Sequence, residues 1–460
     1  MILSDFSHYW LNNAHCPPCF LPPQFASKPT EEGFCQVNLE IKQGKIQQIL
    51  PATESGLLPN TISSWDLKKR IILPCFVDIH THLDKGHISR RTPNLLGTFA
   101  EAVKIIREDC REFWQAEDLY RRMEFGLKCS YAHGTQAIRT HLDVIEQQYN
   151  ITFEVFKTLQ KEWKNQIFLQ PSSLFPVENF LTEEGVKIAD EVAELGGILG
   201  AVVYPHREVD RQLDRMFELA MERGLDVDFH VDETDDPQSQ CLLQVAEAVL
   251  RRSFSGRVLC GHCCSLAVQS PAVAQRTMEA VQRAGIAVVS LPMCNLYLQG
   301  REGGKTPRWR GVTLVHELKG QGIPVLFASD NCRDPFFAFG DHDVLEVFNQ
   351  SVRIAQLNPN YSDWIESVTT APAQVMGLGE QGGLKPGAGA DLIIFRARYW
   401  EELLSRSQRD RIVLRQGQPI DTTLPDYEEL DDLKRLPGTP HPLVGGDERP
   451  VNQAVQCRAD

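Results

Sequence analysis

Eight times between about residues 70 and 385, a short apolar, β-branched run gives way to a longer amphipathic stretch. No other feature constrains the fold of this chain as strongly. Such alternation is the pattern of strands feeding helices in a parallel sheet. The candidate strands lie at 71–83, 134–144, 166–175, 197–205, 225–233, 257–265, 286–294 and 323–331. Between them lie stretches such as DRQLDRMFELAMERG and PAVAQRTMEAVQRAG, which end at Gly as helices commonly do. Eight strand-helix units predict an α/β fold, a closed (β/α)₈ TIM barrel.

A barrel of ~250 residues leaves much of a 460-residue chain over. The surplus reads differently from the centre. QVNLEIKQGKIQQIL (36–50) looks like two strands around a Gln-Gly-Lys turn, and GGLKPGAGADLIIF followed by IVLRQGQPI repeats the form near the other end. The expected organisation is residues 1–70 as the N-terminal part of a small β-sandwich domain, 71–384 as the barrel, and 385–460 as the C-terminal part of the sandwich plus a flexible tail. From about residue 424 the tail is acidic and then rich in Pro and Gly, a composition that predicts poor order.

The 42% hydrophobic and 23% charged composition fits a soluble globular protein. No apolar run reaches the ~20 residues of a membrane span, and the amino terminus lacks a basic segment before an apolar core. A cytoplasmic protein is expected, with its thirteen scattered cysteines reduced. A net charge of −14 without a basic block disfavours nucleic acid as partner. A small molecule fits better, and a homo-oligomer stays open.

The chemistry sits where the apolar runs stop. In Asp78-Ile79-His80-Thr81-His82 the two histidines are two residues apart on a strand, so both point to one face and can meet one ion. An HxH pair alone is equally compatible with two hydrogen-bonded core residues. Three further strand ends, however, carry His230 with Glu233, His262, and Asp330, and barrel active sites lie at the C-terminal ends of strands. Three imidazoles and a carboxylate from His80, His82, His230 and Asp330 suit one divalent ion, Zn²⁺ or Fe²⁺. The fourth candidate strand has no lysine to bridge a second ion.

Several segments resemble the amidohydrolase superfamily, the cytosine deaminase branch in particular. They are LPCFVDIHTHLDKG, Arg139–Asp143, Tyr204–Glu208, HVDETDDPQS (230–239), NLYLQGR (295–301) and DNCRDPFFAFG (330–340). The resemblance spans about residues 70 to 350 in order. It implies a barrel with a small β-sandwich, and a metal-bound hydroxide that attacks the amine-bearing carbon of a heterocycle and releases ammonia. By the same resemblance Asp330 is ligand and base, His262 holds the hydroxide, and Glu233 protonates a ring nitrogen. His141 and His206 are candidates for the substrate pocket, and Lys85 and His87 either meet an anionic substituent or are solvated loop residues.

Two departures bear on the ring that is bound. Where the branch has a glutamine after the third strand, the best-matching position here is Val177. Beside the ligand aspartate, where the branch often has a second aspartate, stands Asn331. Losing an amide at one position and replacing a carboxylate by an amide at the other changes the polar readout. The expected function is therefore a cytosine-deaminase-like aminohydrolase with altered ring specificity. A cyclic amide hydrolase and a non-catalytic metal-binding barrel are the alternatives.

Overall fold

The computed structural model describes residues 6–26, 29–53, 61–379 and 383–433. Strands β1 (His8–Cys16), β2 (Cys35–Lys42), β3 (Lys45–Pro51) and β4 (Ser63–Asp66) form one sheet in the order β3-β2-β1-β4. The expected turn between β2 and β3 is present, with Gln43 and Gly44 both at positive φ, as a tight hairpin requires. After β5 (Ile72–Pro74) come eight strands: β6 (Phe76–Thr81), β7 (Thr135–Asp143), β8 (Phe168–Leu174), β9 (Leu199–Val203), β10 (Val227–Val231), β11 (Val258–His262), β12 (Ala287–Ser290) and β13 (Val325–Phe327). Then β14 (Leu392–Ile394), β15 (Ile412–Arg415) and β16 (Gln418–Pro419) pair antiparallel with β5 in the order β16-β15-β14-β5. The two small sheets, drawn from opposite ends of the chain, meet through the bridges His15–Ile71 and Lys45–Gly389.

Strands β6 to β13 run parallel in sequence order. Bridges Ser172–Ile198 and Pro176–Val202 join β8 to β9, and Thr81–Asp330 joins the end of the first barrel strand to the end of the last. The result is the expected TIM-barrel-like α/β fold. Buried residues fill every position of β6, β10, β11, β12 and β13, which is why these strands read as continuous apolar runs.

The helices cover the barrel as their apolar spacing predicts. In Val209–Arg223 the residues Val209, Leu213, Met216, Phe217 and Ala220 are buried, and the Phe217 ring packs 5.8 Å from that of Phe229 on β10. The helix stops at Gly224, whose φ of +65° closes its C-terminus.

Three expectations change. The run 71–83 is two strands: at Cys75 the chain leaves the small sheet and enters the barrel. The acidic stretch 424–433, expected to be poorly ordered, folds back instead. Asp426 caps a short 3₁₀ helix, Tyr427–Leu430, and Glu429, Asp431 and Asp432 pair with Lys128 at 3.0 Å, Arg90 at 2.6 Å and Arg121 at 2.6 Å. The rest of that tail, 434–460, lies outside the described residues. The expected boundary at 70/71 also shifts, because β5 belongs with the small sheet. All twelve described cysteines are free, and no described helix is long and apolar enough to cross a membrane.

Candidate active site

His80 and His82 leave the end of β6 on the same side, and the neighbouring seam brings Asp330 to them. Asp330 N donates to His80 O at 2.8 Å, and Thr81 Oγ1 donates to Asp330 O at 3.0 Å. Asp330 itself takes a left-handed backbone with φ of +62°, an uncommon conformation that concentrates at functional positions. Below, Asp78 on β6 accepts from Ser329 N at 3.1 Å and fixes the approach.

The ligand-type atoms converge. Asp330 Oδ1 lies 3.4 Å from His80 Nε2 and 3.2 Å from His82 Nε2, and His230 Nε2 lies 3.4 Å from His82 Nε2. Bonds of about 2.0–2.1 Å around a tetrahedral zinc place neighbouring ligands about 3.4 Å apart. His80 Nε2 and both Asp330 carboxylate oxygens are buried without hydrogen-bond partners, a costly state for groups this polar. The donor set, its spacing and these orphaned atoms fit a divalent ion. The other nitrogen of His80, Nδ1, faces His141 Nε2 at 3.1 Å, the partnership that orients a ligating imidazole.

Beside this cluster stands a second group. Asn295, in the short helix Pro292–Leu298 that follows β12, reaches Glu233 Oε1 with Nδ2 at 3.2 Å and His262 Nδ1 at 3.1 Å. Donation from Asn295 makes His262 Nδ1 the acceptor and leaves its proton on Nε2, which is buried and otherwise unpartnered. Burial keeps His262 neutral, with its pKa pushed down to about 3. Burial, reinforced by the charge of Asp330, pushes the Glu233 carboxyl well above its ordinary range. Burial also opposes charge on Asp330, but the facing imidazoles of His80 and His82 prevail and hold its carboxyl well below the ordinary range.

A cavity of about 820 Å³ opens above both groups and is lined by His82, Glu233, Lys85, Asn179, Tyr204 and Asn331 among others. Lys85 is a buried residue, its Nζ donating to Asp143 at 2.9 and 3.1 Å. Asn331 donates to Asp334 at 2.7 Å.

Of the sequence-derived site residues, the fold brings His80, His82, His230, Glu233, His262 and Asp330 together and puts Asn331 at the cavity wall. Val177 is not there. It begins a 3₁₀ helix, Val177–Leu181, whose three-residue turn sends Val177 and Phe180 together into the core and leaves Asn179 facing the cavity. His141 lies beneath His80 instead of in the cavity wall. His206 is exposed, accepting from Glu208 N at 3.2 Å, and also lies outside the lining. His87 is outside it too. Asn295 escaped the sequence reading although NLYLQGR begins with it, because its two partners lie 62 and 33 residues away.

A sequence profile of the amidohydrolase family matches residues 94–420. The chain belongs to the amidohydrolase family. It is 47% identical over 407 residues to a pterin deaminase of Rhizobium rhizogenes (strain K84), covering 88% of this chain and 92% of that one. It is also 24% identical to N-isopropylammelide isopropyl amidohydrolase of Pseudomonas sp. (strain ADP), over 77% of this chain and 87% of that one. Among solved structures, 5-methylcytosine deaminase from Klebsiella pneumoniae liganded with 5-fluorocytosine superposes with a TM-score of 0.77 at 25% identity, covering 91% of this chain and 98% of that one.

Proposed function

We propose that this member of the amidohydrolase family is a metal-dependent deaminase of an aminated, fused-ring heterocycle of the pterin type. The observation that carries the reading is the meeting of Glu233, His262 and Asp330, three groups with protonation behaviour driven apart, at the floor of one cavity. The 47% identity to a pterin deaminase across most of both chains favours the ring class over a single pyrimidine. A cavity of about 820 Å³ has room for two fused rings.

His80, His82, His230 and Asp330 would hold one divalent ion, zinc or iron. Such an ion supplies a water acidified toward neutral pH. The protein groups do the remainder. Ionised Asp330 takes the proton of the attacking water, while the Nε2–H of His262 fixes the oxygen by donating to it. Glu233, whose burial and the nearby charge of Asp330 favour the protonated form, delivers its proton to the ring nitrogen next to the amine-bearing carbon as the C–O bond forms. Without that proton the ring nitrogen would gather negative charge unaided. The proton on Asp330 then passes to the amine, the C–N bond breaks and ammonia leaves; the hydroxyl on the carbon gives up its proton as the product carbonyl forms, restoring the one Glu233 delivered, and the ring nitrogen keeps its hydrogen. Asn295 holds Glu233 and His262 in register, and Asn179 and Asn331 supply amide readout of the ring edge. The two small sheets, β1–β4 and β5 with β14–β16, are read as one β-sandwich domain drawn from both ends of the chain.

An ammonia-release screen with metal-quantified protein tests this. Turnover of an aminopterin ring well above that of cytosine supports it. Turnover of cytosine alone overturns the ring class, ring opening without ammonia indicates a cyclic amide hydrolase, and silence on every amine indicates a non-catalytic barrel.

A further inference from the structure

A second set of metal-ligating side chains lies outside the cavity. His87 Nε2 and His342 Nε2 face each other at 3.1 Å, and a ring nitrogen of each histidine and Cys332 Sγ all lie within 4.8 Å of one another. None of the three lines the cavity. His342 and Cys332 are buried and His87 is half-buried. The nitrogen separation is close to the about 3.4 Å edge of a tetrahedral zinc site. Gly126 keeps the space beside His342 Nε2 open: a Cβ there would stand 3.0 Å from it.

We propose that His87, Cys332 and His342 form a zinc site separate from the catalytic cluster. Two imidazoles and a thiolate are the ligands a borderline-soft divalent ion selects, whereas magnesium or calcium demands oxygen. Solvent past His87 supplies the fourth position. Asp341, which accepts from His133 Nε2 at 3.2 Å, adds negative charge nearby, and Arg333 adds positive charge. His87 and His342 both hold left-handed backbones, with φ of +64° and +54°, which aim their rings into the cluster from loops that already touch. His87 N donates to Cys332 O at 3.2 Å, and Ser89 N to Arg333 O at 2.9 Å. Those loops follow β6 and β13, the strands that carry His80, His82 and Asp330, so an ion here would pin the closing seam of the barrel from outside the cavity.

Cobalt titration of the full-length, metal-stripped chain tests the site. The expected result is about two equivalents bound and a thiolate-to-cobalt charge-transfer band in the near ultraviolet. In Cys332→Ser the band disappears and uptake falls to about one equivalent, and His342→Asn loses the same equivalent. About one or two equivalents bound without a thiolate band overturn the proposal, whereas about one equivalent with the band fills this site alone. A band that persists in Cys332→Ser also overturns it. Circular dichroism checks that the variants fold. If they do not, the wild-type titration decides alone. Because the test reads no turnover, its outcome is independent of the proposed deamination.

Discussion

Replacing Glu233 by glutamine isolates the proton that the proposed chemistry needs. The amide has the size of the carboxyl and keeps an oxygen to accept from Asn295 Nδ2, 3.2 Å away in the native arrangement. Packing and metal ligation are therefore preserved, and only the acid is lost. General acid catalysis contributes about 10²- to 10⁴-fold, or roughly 2.7–5.5 kcal/mol of transition-state stabilisation. The upper part of that range applies here, because a site this buried gives bulk water little opportunity to substitute. Initial rates of ammonia release, taken with metal content, give the loss in kcat. The pH profile adds a second reading. Since the working form is protonated, kcat/KM of the wild-type enzyme falls as pH rises through the elevated pKa of Glu233, and the variant lacks that alkaline limb. A Glu233→Gln enzyme with full metal and activity within about tenfold of wild type would refute the assignment.

Four further outcomes are expected. Asn295→Leu removes the donor shared by Glu233 and His262 and should lower kcat about 10- to 100-fold, more than it raises KM, in steady-state assays. Gly261→Ala places a methyl group 3.0 Å from His80 Cε1, which displaces a ligand, so metal content after dialysis should fall below one ion per catalytic site while the circular dichroism spectrum is kept. Stripping the enzyme with a chelator should abolish ammonia release reversibly and lower Tm. An ion present at 1,000 times its Kd contributes about 4 kcal/mol, and an unchanged Tm would count against a built-in site. Arg91→Ala leaves Asp109 buried without the guanidinium that binds it, the Arg91 Nε and Nη2 each lying 2.8 Å from an Asp109 oxygen, whereas Asp118 keeps Arg122. Denaturant unfolding should register a loss of about 3–5 kcal/mol.

What the sequence made legible follows from what each signal measures. Strand β10 and the candidate ligand His230 near its end are visible because burial on both faces and a loop boundary both leave marks in the linear order. The break at Cys75 leaves none, since β5 and β6 are apolar throughout and a change of sheet alters no periodicity. Val177 lies in the core and Asn179, two residues on, faces the cavity, because in a 3₁₀ turn that distance separates the two. His141 and Asn295 depend on partners that only the closed barrel brings near. The acidic stretch from 426 to 432 looked unstructured because its cations, Arg90, Arg121 and Lys128, are some 300 residues earlier in the chain.

The Thr81–Asp330 seam has a consequence for the order of events in biosynthesis. Its partners are 249 residues apart, so a nascent chain displays His80 and His82 long before the last ligand is made, and a chain halted before β13 offers imidazoles but no carboxylate. With the proposed ligand set, retention of the ion is tied to the final strand docking on the first. Metal held against dialysis is a mark of completed chains, and it separates them from incomplete ones without any assay of turnover.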